Sequence, residues 1–415
     1  MRSIKQGWCN QYLSWVEDAS ESPKVYHQWS AATIVAAAIR RNCWVNRGTF
    51  NLFPNMFTIL VGHTGLGKGR SINPAVELLR ESGCANILSD KITIQYILEK
   101  ISDRGQQVAQ LQMQGNTISI GQDASCFISA PEIEDLILTS DTMAPLKELW
   151  ESKNGPFEYG TRGRGLVKIA KPCPTLLGGC TPSQVAELFP TRAIGGGFVR
   201  RCNFVYEISK SKSIPWPAPK NGGDKTHDDL VNDLRHISQL RGAFVFDPYA
   251  KKMFEDYYRS TGADEFADEA TSSYDTTKPI HVLKLAMALT AARDDSMVIN
   301  FVDLGLAIKM VDKCAVEMTK VFRAVGDSEM AVIIDKVIRY IELRGKTMWV
   351  TRSDLMGALW RDVGSSQNLD VILGTLEAGN VIRTECRSGI TVYRLGKQQM
   401  SNNGSGSGNY GGTIQ

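Results

Sequence analysis

Residues 58–74 read Thr58-Ile-Leu-Val-Gly62-His63-Thr64-Gly65-Leu66-Gly67-Lys68-Gly69-Arg70-Ser71-Ile-Asn-Pro74. An apolar, β-prone run enters a glycine-rich turn, and an amphipathic pattern leaves it. Gly62 to Lys68 has the spacing G-x-x-x-x-G-K of a phosphate-binding loop. The glycines let backbone N–H groups turn toward a triphosphate, and the following helix adds the positive end of its dipole. Lys68 is placed to reach the β- and γ-phosphates. The segment Gly62, His63, Thr64, Gly65, Leu66, Gly67, Lys68, Gly69 and Arg70 is therefore the expected ATP site. Gly69 stands where a Ser or Thr usually supplies a hydroxyl to Mg²⁺, so that ligand must come from Ser71 or from water. Without its flanking strand and helix, the stretch would be a glycine turn with a lysine beside it.

The length of 415 residues suggests two to three domains. A net charge of +3 confines any nucleic-acid contact to local patches. The nine cysteines include no C-x-x-C pair and there are five histidines, so the pattern fits reduced thiols and no metal site. Cys43, Cys126 and Cys180 lie in apolar runs and are expected in the core. The first residues lack the apolar stretch of a signal peptide. The apolar run 31–39 is too short to cross a membrane and is followed by Arg40-Arg41, so a buried helix and no membrane partner are expected.

Residues 1–50 look helical, with a short strand near 43–45. Residues 51–208 alternate strand and helix patterns as an α/β nucleotide-binding core should, with strands expected at 57–61, 86–88, 125–130, 175–179 and 203–207. Residues 209–226 are rich in Pro, Gly and Lys and read as a linker. Residues 227–326 are mostly helical in pattern, with 3.6-type spacing in their main segments. In 327–397 the order is helix, helix, helix, hairpin, which is a winged-helix order, with Thr351 to Asp354 as a capping box. The tail 398–415 is low in complexity and expected to be disordered.

Four further blocks carry chemistry. Residues 125–130 run into Pro131-Glu132, where an ATPase needs an acid at the tip of a neighbouring strand to orient water and hold Mg²⁺. Glu132 suits that role, with Pro131 in place of a second acid; the bland alternative is a helix-start carboxylate. Residues 157–171 read as a β-hairpin with Arg162, Arg164, Lys168 and Lys171 around its tip. It suits a phosphate backbone, and equally suits a solvated hairpin. Thr181 ends a buried strand. It would stand beside the γ-phosphate if that strand neighbours 57–61, and it is also a good helix N-cap before Pro182. Gly195 to Arg201 feeds Arg200 and Arg201 into a strand. One of them suits an arginine finger reaching a neighbouring subunit, the alternative being a structural arginine paired with an acid.

These blocks in this order resemble phage and prophage replication ATPases of the primase-helicase-associated family. Glu21 to Trp29, Leu52-Phe-Pro-Asn55, Ala130-Pro-Glu132 and Gly197-Phe-Val-Arg-Arg201 carry the resemblance, over roughly residues 15–320. The layout is also similar to hexameric helicases of the minichromosome-maintenance type. That resemblance implies an AAA+/RecA-like P-loop core with a helical lid and a C-terminal winged helix. It implies a pore hairpin at Arg162 to Lys171, a trans finger at Arg201 with Arg200 second, and a lid sensor at Lys284. It further implies ATP and Mg²⁺, single-stranded or forked DNA, a homo-hexameric ring, a separate primase or other replisome protein, and a bacterial host cytoplasm.

The first functional expectation is an ATP-driven DNA helicase or translocase. The second is an initiator or loader that assembles on DNA with ATP and is not itself the motor. A small-molecule kinase is the weaker third, because a lid and a winged helix have no use there.

Overall fold

The computed structural model describes residues 7–89, 93, 96–103, 124–133, 136, 140–161, 165–189, 197–216, 223–261, 273–326, 329–345, 349–379, 381–387 and 389–395. Arg162, Arg164 and the tail 398–415 lie outside the described residues. The chain divides into two compact units, Met1–Val325 and Gly326–Gln415.

The strands of the first unit are β1 (Cys43–Asn46), β2 (Asn51–Leu52), β3 (Phe57–Val61), β4 (Ile87–Ser89), β5 (Ala124–Ala130), β6 (Phe157–Thr161), β7 (Gly165–Ile169), β8 (Pro172–Cys180), β9 (Cys202–Tyr206), β10 (Gly242–Phe246) and β11 (Val298–Ile299). Five of them form an all-parallel sheet in the order β4-β5-β8-β3-β9. Every residue of β3, β5 and β8 is buried. That burial explains their continuous apolar reading, since a parallel sheet is covered on both faces. All five strands expected from the sequence are present, β3 with the expected bounds and the other four displaced by one to three residues at their ends.

One expectation about the sheet is corrected. The strand leading to Glu132 is not a neighbour of β3; β8 lies between them. Register places Val61 beside Cys180 on one side and Tyr206 on the other, and Ala130 beside Gly178. The turns after β3, β5, β8 and β9 therefore leave the same carboxyl edge.

Helix Lys24–Ile39 is buried on nearly all sides. Small residues such as Ala31, Ala32, Ala36 and Ala38 let it lie between the sheet and helix Lys278–Arg293, which is buried just as fully. A helix apolar all round belongs in an interior. The region expected to be mostly helical also contributes β10 and β11. They pair parallel to each other, and β10 pairs parallel to β1, in a four-stranded sheet ordered β11-β10-β1-β2. Residues 24–46, 242–246 and 278–299 are thus built into the same core.

Residues 209–216 are not a free linker either. Ser211 N–H donates to the Glu21 carbonyl, and Ile214 N–H to the Glu21 carboxylate at 2.7 Å. Among the described residues no helix is long and apolar enough to cross a membrane. Cys43, Cys126 and Cys180 are buried, as expected.

In the second unit, helices Glu329–Gly345, Arg352–Val363 and Ser366–Ala378 pack on a three-stranded antiparallel sheet. Its order is β12 (Val350–Thr351), β14 (Ile390–Leu395), β13 (Ile382–Arg387). The capping box forms: the Thr351 side chain accepts from Asp354 N–H, and the Asp354 carboxylate accepts from Thr351 N–H at 2.9 Å.

Candidate functional site

The turn after β3 closes on helix Lys68–Ser82 through two glycines in the left-handed region, Gly65 at φ 86° and Gly67 at φ 88°. A Cβ at Gly67 would lie 2.3 Å from Ser22 Oγ, whose hydroxyl donates to the Gly67 carbonyl at 2.8 Å. Tyr26 donates to the last carbonyl of β3, at Val61. The N-terminal segment 20–27 is thus a cradle for the loop, a role that its sequence alone did not reveal.

The first helical turn holds Lys68 and Arg70 and no acid. Cations at the positive end of a helix dipole are unfavourably placed unless an anion joins them. Lys68 is 8% exposed and bends over the loop, donating to the Gly62 carbonyl at 2.7 Å. Burial pulls its pKa down, and the nearby charge of Glu132 partly offsets this.

Glu132 reaches the loop because β8 ends in glycines. A Cβ at Gly179 would lie 2.6 Å from the Pro131 carbonyl, so the turn after β5 crosses over β8 only because Gly179 has no side chain. Glu132 is exposed and, together with Lys68, Arg70 and Thr181, lines a cleft of about 540 Å³. Thr64, Gly65, Gly67 and Gly69 line it as well. That volume is in the range of small-molecule sites. Thr181 adjoins β3 as the sequence reading required. It is also the N-cap of helix Pro182–Leu188, accepting from Gln184 N–H at 3.3 Å, as the second of its expected roles required.

Further residues of the cleft escaped the sequence reading: Glu21, Asn73, Gln184 and Lys210. Lys210 donates to the Glu21 carboxylate at 2.6 Å and Arg70 approaches it at 3.9 Å. The Lys210 hydrogen bond is the main cause holding the Glu21 pKa low. No local motif signals a residue that arrives from 189 positions away.

Ser71 is fully buried, and its hydroxyl donates to the Gly67 carbonyl at 3.0 Å. It does not line the cleft, so the metal-binding role expected of it does not fit. A Cβ at Gly69, by contrast, would meet nothing within 4 Å. Among the described residues no group of three or more His, Cys, Asp or Glu could hold a metal ion. One cleft carboxylate with phosphate oxygens and water is nonetheless a usual Mg²⁺ environment.

Of the other expected residues, Arg162 and Arg164 lie outside the described residues, and Arg200, Arg201, Lys171 and Lys284 sit toward the opposite edge. Arg200 and Arg201 precede β9, and the β6–β7 hairpin precedes β8. Arg201 is held within its own chain: Nε donates to Glu151 at 3.0 Å, a second nitrogen pairs with the same carboxylate, and Nη1 donates to the Gly197 carbonyl at 2.6 Å. The structural alternative describes it better than the finger. Arg200 lines a separate open cleft of about 610 Å³ with Lys147 and Lys153.

Lys284 is corrected most. It is 1% exposed, donating to the Phe53 carbonyl at 2.9 Å and Asn55 Oδ1 at 2.7 Å beneath the Trp150 ring. Asn55 precedes β3, so at about 3.3 Å per residue Lys284 lies roughly 20 Å from the glycine loop and is not a sensor there. In the hairpin, the expected antiparallel pairing is present, Lys168 pairs with Glu158 at 2.7 Å, and Lys171 occupies the turn into β8 at φ 50°.

No protein-family model matches the chain, and no curated protein matches its sequence.

Proposed function

We propose that this chain is an ATP-hydrolysing motor of DNA replication, acting as a ring-forming helicase or translocase on single-stranded or forked DNA. The observation that carries the reading is the Gly62–Lys68 loop. It leaves a central parallel strand at the carboxyl edge, opens a helix whose first turn is cationic, and faces Glu132 across a cleft of triphosphate size. Ligands of open α/β sheets bind outside the carboxyl ends of the strands.

In this reading the loop N–H groups, Lys68 and Arg70 bind the phosphates, Glu132 orients the attacking water, and Thr181 stands beside the γ-phosphate. Mg²⁺, held by Glu132, phosphate oxygens and water, would neutralise charge on the phosphates. Arg200 takes the place of Arg201 as the finger. Its position at the amino edge means that it serves a neighbouring subunit's cleft and not its own, which supports a ring. The succession helix, strand, helix, helix, hairpin over residues 329–395 supports a winged helix. The resemblance to the primase-helicase-associated replication ATPases accords with both, and with a primase on another chain.

A second reading, an ATP-dependent initiator or loader, is favoured by one observation: Gly69 offers no hydroxyl and Ser71 is turned away. Slow hydrolysis would follow.

The test is ATP binding and turnover in two variants. Lys68→Ala should weaken ATP binding by about 10- to 100-fold, the loss of a charge-assisted hydrogen bond of roughly 1.5–3 kcal/mol. Glu132→Gln should bind ATP normally and lose turnover. If Lys68→Ala binds ATP as tightly as the parent, the nucleotide reading fails.

A further inference from the structure

The outer face of the three-stranded sheet in the second unit carries charge that its fold does not call for. Arg383 on β13 stands directly opposite Arg394 on β14. Like charges facing each other across an antiparallel pair are destabilising. On the same face, nearer the hairpin tip, β13 adds Arg387. Between Arg387 and Arg394 lies Trp349, with their guanidinium carbons 3.7 and 3.6 Å from its ring centroid. Carbon atoms need about 3.5–4 Å between them, so two at that height cannot share one face of the ring. The guanidiniums therefore flank the indole.

This stack does not neutralise either charge. It fixes two guanidinium planes, with both arginines exposed and the Arg387 Nε–Nη2 edge only at long range from Glu385. Glu385 is the one acid on this face of the hairpin. It approaches Arg387 at 3.4 Å with both side chains more than half exposed, a pairing of little strength. The tip residue Ile390 is 56% exposed. The buried core of the unit lies on the other face, where Ile382 and Tyr393 pack against the helices.

We propose that this outer face binds the sugar–phosphate backbone of a nucleic acid strand. Arg387 and Arg394 present planar forks to phosphate oxygens, and Arg383 adds the third charge. A guanidinium fork matches phosphate geometry, and stacking on an indole orders it before the ligand arrives, so less side-chain freedom is lost on binding. Three cations against one acid select a polyanion, and the repulsion between Arg383 and Arg394 is relieved when a phosphate joins them. Ile390 gives the strand an apolar contact at the tip. The face lies within the second unit, and its binding calls for no nucleotide.

The experiment uses the full chain, no ATP, and a fluorescein-labelled thymidine oligomer of about 30 nucleotides, with anisotropy read between about 50 and 200 mM salt. For Arg387→Ala/Arg394→Ala we expect affinity at least about tenfold lower and a salt slope reduced by about 1.4, at about 0.7 per phosphate contact on a single strand. Arg387→Lys/Arg394→Lys keeps the charges and not the forks. It should bind with intermediate affinity and an unchanged slope, and it serves if the alanine variant fails to fold. ATP binding should be the same in all of them, which separates this test from that of the glycine loop. Parent-like affinity and slope in the alanine variant overturn the proposal, as does a parent chain that does not bind the oligomer. So does a variant that loses only its binding to polyglutamate, which would assign the face to an acidic protein segment.

Discussion

At the carboxyl edge of the five-stranded sheet the cations are poised, whereas at the amino edge most are locked. Lys68 and Arg70 open a helix with no acid in its first turn, and among the described residues Lys68 donates to the loop carbonyls of Gly62 and His63, while Arg70 approaches Glu21 at 3.9 Å. At the other edge Lys284 is sealed between Phe53, Asn55 and Trp150, and Arg201 is clamped by Glu151 and Gly197. Arg41 is tied to the carbonyls of Ser152 and Pro172. The difference teaches where a new anion can act. A cation already satisfied by its own fold stabilises the fold, and one held open by backbone geometry is available to a ligand. Arg200 is the exception at the amino edge, because it lines an open cleft there.

The largest effect expected of this comparison concerns the two arginines. Arg200→Ala should leave ATP binding intact and lower hydrolysis by about 10²–10⁵, the range of an arginine finger. Mixing Arg200→Ala with Lys68→Ala should restore part of the activity, since some interfaces then join an intact loop to an intact arginine. Arg201→Ala should lower thermal stability and affect turnover less. If Arg201→Ala loses turnover without loss of stability while Arg200→Ala does not, the assignment of the edge is reversed.

A smaller effect follows from Lys284, whose pKa burial pulls down to about 7. In the unfolded chain a lysine holds its proton to about pH 10.4. Between about 7 and 10 the unfolded state therefore binds more protons than the folded one, and this residue makes stability rise with pH. Below about 7 both states are protonated and its contribution is flat. Lys284→Met should remove that slope, read as the difference in Tm between variant and parent from pH 7 to 8.5. An identical pH dependence in the two proteins would mean that Lys284 is not buried as described.

The smallest effect is expected at Gly69. A Cβ there meets nothing, and φ is not in the left-handed region. Gly69→Thr should change stability by no more than about 0.5 kcal/mol. If a missing hydroxyl limits the use of Mg²⁺, turnover should rise and the Mg²⁺ concentration for half-maximal rate should fall. Unchanged Mg²⁺ dependence would favour the loader reading.

The strands of the sheet were legible because burial on both faces forces continuous apolar runs, as in β3 and β8. The loop was legible because left-handed turns demand glycine at fixed spacing. Lys284 was misread because its sequence context, an apolar helical run, is the same whether the lysine faces a ligand or a buried carbonyl. Ser71 lies two residues past the usual hydroxyl position, about 200° around the helix, so its hydroxyl points back at the Gly67 carbonyl and it does not line the cleft.

The sequence by itself determined the α/β class, the strand–glycine loop–helix unit, the hairpin at 157–171 and the three helices and hairpin of residues 329–395, though not the short strand β12. All of these are local, set by side-chain periodicity, glycine φ and capping within a few residues. Only the tertiary structure decided that β8 separates β3 from β5 and that Gly179 lets Pro131 cross above it. It alone showed that segment 20–27 cradles the loop, and that Arg200, Arg201 and Lys284 lie at the edge away from Lys68. These depend on strand order and on residues brought together from 35 to 229 positions apart, and no local pattern carries either.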